Sequence, residues 1–108
     1  MSMPDVNSDY QKLTLSCPDE LAERLIDILL DTEIRMTGFT TVKVDGHGHD
    51  FASASVRERV RGRVARRLIV AVLPAEDVTA LLSDIHQQIK NPHLFYWIEP
   101  VLAYGHLS

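Results

Sequence analysis

Residues 44–50 read VDGHGHD, placing His47 and His49 two positions apart, Asp50 beside them, and glycines at Gly46 and Gly48. In extended backbone, side chains two apart project to one face, so the two imidazoles have a chelating spacing. Imidazole with a nearby carboxylate suits Cu(II), Zn(II) or Ni(II). The glycines open turn conformations closed to other residues. Stable zinc sites take three or four protein ligands, so this pair needs more. Asp50 points away under strict alternation, which leaves His106 near the C-terminus, or a neighbouring subunit, as the source of a further ligand. The plainer alternative is a polar loop whose histidines are incidental. His86 beside a helical stripe and His93 after Pro92 read as surface or capping residues.

A second chemistry follows directly. Arg57, Arg59, Arg61, Arg63, Arg66 and Arg67 are six of the 11 basic residues, and only Glu58 of the 15 acidic residues lies among them. By subtraction, the rest of the chain holds 5 basic and 14 acidic residues, within a net charge of -4. Alternating Arg57, Arg59, Arg61 and Arg63 would form one cationic face if extended, and guanidinium forks grip phosphate or carboxylate in bidentate fashion. With Gly46 and Gly48 they make a candidate anion- or nucleotide-binding set; the alternative is a solvated segment paired with the protein's own acids. A local cationic stretch on an acidic body points to a specific anion or an acidic partner and argues against nucleic-acid binding, which favours a basic domain.

Other chemistries are weakly represented. No Ser-His-Asp or Cys-His spacing stands out and no GxxxxGK[ST] phosphate loop is present, so the chain reads as a binding module, with no catalytic residue, and not as an enzyme. Cys17 has no partner for an internal disulfide and sits just before a helix start, where a lowered pKa is conceivable but burial as a small apolar side chain is the better reading. No apolar run approaches the ~20 residues of a membrane span, and MSMPDVNSDYQ lacks the parts of a signal peptide, so a cytoplasmic location is expected.

The elements that must position these residues follow from periodicity. With 108 residues, 45% hydrophobic and 24% charged, the composition suits one globular domain. Residues 1–10 read as a loose N-terminal segment and 11–108 as the domain. Lys12 to Cys17 alternates as a strand. Pro18, Asp19 and Glu20 open a helix to about Asp31, with Leu21, Leu25, Ile28 and Leu29 as its buried stripe. Phe39 to Asp45 is β-branched and reads as a second strand.

Between about 46 and 66 the pattern is ambiguous: Val56, Val60 and Val64 have helical spacing while the arginines alternate. LIVAVL, Leu68 to Leu73, predicts a strand buried on both faces. A second helix opens at Ala75, Glu76 and Asp77, buries Val78, Leu81, Leu82, Ile85 and Ile89, and is stopped by Asn91-Pro92. Leu94 to Pro100 predicts a last strand with Leu94, Tyr96 and Ile98 on one face, Phe95 and Trp97 on the other. The order is βαββαβ, an α+β ferredoxin-like sandwich with a four-stranded antiparallel sheet and two helices on one face. Two helices leave the second face open, and the simplest cover is further copies of the chain.

This chain resembles the PII-like signalling proteins: βαββαβ of this length, Val44-x-Gly46-x-Gly48 closing the second strand, and a long polar segment before the third. GHGHD, SVRERVRGR and the ending YWIEPVLAYGHLS are similar to a branch of that superfamily associated with heavy-metal efflux systems. The resemblance implies a homotrimer with clefts between subunits, an effector loop at about 46–66, and regulatory contact with a metal-efflux or other membrane transport protein. It also raises adenine nucleotide as an alternative ligand. The VLPAEDVTAL connection departs from the nucleotide-binding pattern: it has no glycine and two acids that would repel phosphate, and residues 46–67 contain no tyrosine for uridylylation.

Overall fold

The alternation around Lys12–Cys17 produces a longer strand, β1, Tyr10–Pro18. The computed structural model describes residues 9–34, 36, 38–48 and 64–107, so most of the N-terminal segment and His49, Asp50, Arg57, Arg59, Arg61 and Arg63 lie outside the described residues. Strand β1 is central: Leu13, Leu15 and Cys17 are buried on one side and Thr14 and Ser16 on the other.

Pro18 closes β1 with an extended ψ of 142° instead of opening the helix. Asp19–Leu21 forms a 3-10 turn, closed by the Ala22 amide donating to the Asp19 carbonyl, and helix α1 runs Ala22–Asp31. The missing N–H and fixed φ of proline serve a strand end as well as a first helical turn. Ala22, Leu25, Ile28 and Leu29 make the buried stripe, with Leu21 only partly covered.

Strands β2 (Thr40–Gly46) and β3 (Val64–Pro74) pair antiparallel, from Thr40 opposite Val70 to Gly46 opposite Val64. Because β3 begins at Val64, that residue belongs to the strand pattern and not to a helix shared with Val56 and Val60. Helix α2 (Ala75–Gln88) follows without a loop. It ends before Asn91-Pro92 because Ile89 is extended; Ile89 stays buried, and its amide still donates to the Ile85 carbonyl at 2.9 Å. Strand β4 (Phe95–Pro100) pairs antiparallel with β1, and the sheet order is β2-β3-β1-β4. The fold is the expected ferredoxin-like α+β sandwich.

Ladder partners share a face, so the register assigns sides. Leu13, Leu15, Cys17, Ile69, Ala71 and Leu73 lie under the helices, where they form one core with α1 and α2. LIVAVL is thus covered fully on that face only. On the far face Leu68, Val70 and Val72 are half-buried, while Val42 and Trp97 are 45% and 41% exposed. Among the described residues no helix is long and apolar enough to cross a membrane.

Candidate functional site

The histidine and arginine segment leaves the sheet through Gly46 and returns through Val64, which face each other in the ladder and are both buried. His47 is exposed immediately beyond this root, and Gly48 has a φ of +125°, a conformation that favours glycine. The C-terminal segment belongs to the other end of the sheet. The Val101 amide donates to the Tyr10 carbonyl at 3.2 Å, and the Tyr104 ring lies 4.8 Å from that of Tyr10. From Tyr10 to Pro18 a strand spans roughly 26 Å, and the segment holding the exposed His106 departs from the end of the sheet opposite His47. Among the described residues no three His, Cys, Asp or Glu side chains form a metal-holding group.

Arg66 and Arg67 flank the root, and the reading from sequence gave them no site role. Adjacent residues in a strand point to opposite faces, and these two are tied down on opposite sides of the sheet. Arg66 is 1% exposed on the far face. Its Nε and Nη2 donate to the Ser16 hydroxyl at 3.2 and 3.0 Å, and Nη2 also donates to the His93 carbonyl at 2.8 Å. The guanidinium carbon lies 5.3 Å from the centre of the Phe95 ring. Burial draws the Arg66 pKa below its usual value, opposed by Cys17; an arginine nevertheless stays charged. Arg67 turns to the helix face, where Nε and Nη2 donate to Asp19 Oδ1 at 3.1 and 2.8 Å. The signals for both were present in the alternation and in Ser16, a small hydroxyl residue on the polar face of β1 that also carries Lys12 and Thr14.

Cys17 lies in the core between these anchors and is a free thiol. Burial pushes its pKa up, more than the Arg66 and Arg67 charges pull it down, and Asp19 adds to the rise. It has none of the thiolate character that a helix terminus alone would suggest.

Beside the root a cavity of about 350 Å³ is lined by Asp19, Lys43, Val44, Asp45, Ala65 and Arg66, which mixes both signs of charge. A larger cleft of about 590 Å³ lies between α2 and β4. The start of α2 offers little to a phosphate. The Ala75 amide donates to the Asp9 carbonyl at 2.9 Å, and Glu76 and Asp77 occupy the first turn.

No curated protein matches the sequence. Among solved structures, a DUF3240 family protein from Shewanella baltica OS155 superposes with a TM-score of 0.74 at 24% identity, covering 94% of this chain and 99% of that one. CPII, a nitrogen regulatory PII-like protein from Thiomonas intermedia K12 bound to ADP, AMP and bicarbonate, gives 0.66 at 19% identity, covering 91% and 96%. PII from Arabidopsis thaliana bound to citrate gives 0.63 at 18% identity, covering 87% and 78%. Residues 7–108 match DUF3240, a family described as protein of unknown function, and the chain therefore belongs to that family and carries the PII-like fold.

Proposed function

We propose that the chain is a PII-like regulatory protein, assembled as a homotrimer in the cytoplasm, that binds a small effector on the segment between β2 and β3 and relays it to a partner protein. One observation carries the reading: this segment is rooted in a closed ladder pair, Gly46 with Val64, whose return strand is fixed on both faces through Arg66 and Arg67. A rooted segment can respond to a ligand without disturbing the core, which is the property a switch needs.

Two effector chemistries fit the residues. A transition metal, Cu, Zn or Ni, would use His47, His49 and Asp50, completed by His106 of another copy. An anion would use Arg57, Arg59, Arg61 and Arg63, with Gly46 and Gly48 shaping the root. Neither requires the chain to act as an enzyme. The far-face surface around Val42 and Trp97 supports self-assembly, because copies of one sheet would cover one another there. A partner in metal export rests on the resemblance of GHGHD, SVRERVRGR and the C-terminal motif.

A second reading, adenine-nucleotide signalling, is favoured by the ADP and AMP of the similar CPII. The occupied Ala75 amide and the acids at Glu76 and Asp77 oppose the helix-terminus mode of holding phosphate. A structural adaptor without small ligand is the remaining alternative.

The test is native mass spectrometry of metal-stripped protein with Cu(II), Zn(II), Ni(II), ATP, ADP or AMP. A trimer that gains metal, and loses that gain when His47→Ala is combined with His49→Ala, supports the metal sensor. Nucleotide uptake moves the function to the second reading, and no uptake of any ligand leaves the adaptor.

A further inference from the structure

The cleft between α2 and β4 is separate from the effector segment. Its floor is apolar and buried: Leu15, Ile85 and Ile89 are 2%, 3% and 4% exposed. Half-buried Leu82 and Leu94 and the exposed ring of Tyr96 extend it toward solvent. At about 590 Å³, with an apolar floor and few polar groups, it has the size and lining of a small-molecule site.

The polar groups give it a sign. The chain carries 15 acidic residues, yet among the described residues none lines this cleft. The basic groups on its wall are Lys90 and His86, both exposed, joined by Ser83, Asn91 and the Tyr96 hydroxyl as neutral hydrogen-bonding groups. An acidic protein with a carboxylate-free apolar cleft beside a lysine is complementary to a ligand with an apolar body and one negative head.

We propose that this cleft binds an amphipathic monocarboxylate, its hydrocarbon part on Leu15, Ile85 and Ile89 and its carboxylate at Lys90. The site also has a route to the root of the effector segment. Asn91 and Leu94 line the cleft, and between them the His93 amide donates to Asn91 Oδ1 at 2.8 Å while the His93 carbonyl accepts from Arg66 at 2.8 Å. A ligand that shifts this turn therefore acts on the group that holds the far face of β3. The proposal stands whether or not the effector segment binds metal.

Octanoate is the probe and 1-octanol its uncharged analogue, titrated into the ¹⁵N-labelled full chain to about 10 mM and read by amide chemical shifts. Octanoate is expected to move residues of the Leu82–Leu94 stretch and Tyr96 with a Kd on the order of 1 mM, and to move Phe95 and Arg66 with them. Lys90→Glu should weaken octanoate about tenfold and leave 1-octanol unchanged; Leu82→Trp, which fills the cleft from a half-buried position, should abolish both. Shifts confined elsewhere, equal effects of both probes in the Lys90→Glu variant, or no shifts at all overturn the proposal. Cleft resonances that respond only to protein concentration also overturn it, since a second copy would then be the occupant. If Leu82→Trp fails to fold, shift mapping with Lys90→Glu alone decides.

Discussion

The Arg66 guanidinium and the Ser16 hydroxyl meet on the far face of the sheet, with Nε and Nη2 at 3.2 and 3.0 Å from one oxygen. The contact lies across the β1–β3 ladder, in which Arg66 itself is paired with Pro18. A buried charge held this way needs all its acceptors, because the low-dielectric surroundings magnify any loss.

Arg66→Ala is expected to lower stability by about 2–4 kcal/mol, through lost charged hydrogen bonds and an uncovered His93 carbonyl. Ser16→Ala should cost less, about 1–2 kcal/mol. Arg66→Lys should fall between wild type and Arg66→Ala, since it keeps the charge but not the fork. Urea midpoints at unchanged m-value measure all three; an Arg66→Ala protein as stable as wild type would contradict the account.

The Arg67–Asp19 pair behaves differently because Asp19 is 41% exposed at its side chain. Asp19→Asn should cost no more than about 1 kcal/mol, and the difference from wild type should shrink in high salt. Thermal melts at low and high ionic strength check both.

Cys17 predicts a pH dependence of known sign. Its folded pKa is raised, so the folded state holds the thiol proton more tightly than the unfolded state. The associated stability is present below the unfolded thiol pKa of about 8.5 and is lost as pH rises through the folded value. Cys17→Ala should flatten this alkaline decline, seen by comparing denaturation near neutrality and well above it. In native protein the thiol should react with a disulfide reagent only at the rate of opening.

Assembly through the far face gives a fourth expectation. Val42→Asp should convert the proposed trimer to monomer by light scattering, while Leu30→Asp, on the helix side and 68% exposed, should not. Loss of assembly in both variants, or in neither, would remove the far face as the interface.

The sheet, both helices and most of the core were legible in the sequence because Leu13, Leu15 and Cys17, and the stripes Leu25–Leu29 and Val78–Ile85, follow strict periods. Pro18 was misplaced because its geometry suits a strand end and a helix start equally. LIVAVL was read as doubly buried because a continuous apolar run carries no alternation to show that Leu68, Val70 and Val72 are only half-covered on the far face. The site was harder to read. Arg66 and Arg67 look like two more members of a basic run, and only the register shows one turned into the sheet's far face and the other toward Asp19. The cleft was concealed as well, since Leu82 and His86 of α2 and Lys90 just beyond it share a cleft wall only when β4 lies alongside.

The Gly46–Val64 closure also bears on how such a protein can diversify. Loop-closure entropy grows slowly, about 0.6 kcal/mol for each doubling of length. Lineages can therefore lengthen, shorten or rewrite residues 47–63 at small thermodynamic penalty, provided the ladder pair and the two arginine anchors survive. Changes of length between Gly46 and Val64 are in this sense thermodynamically cheap for the scaffold that carries them.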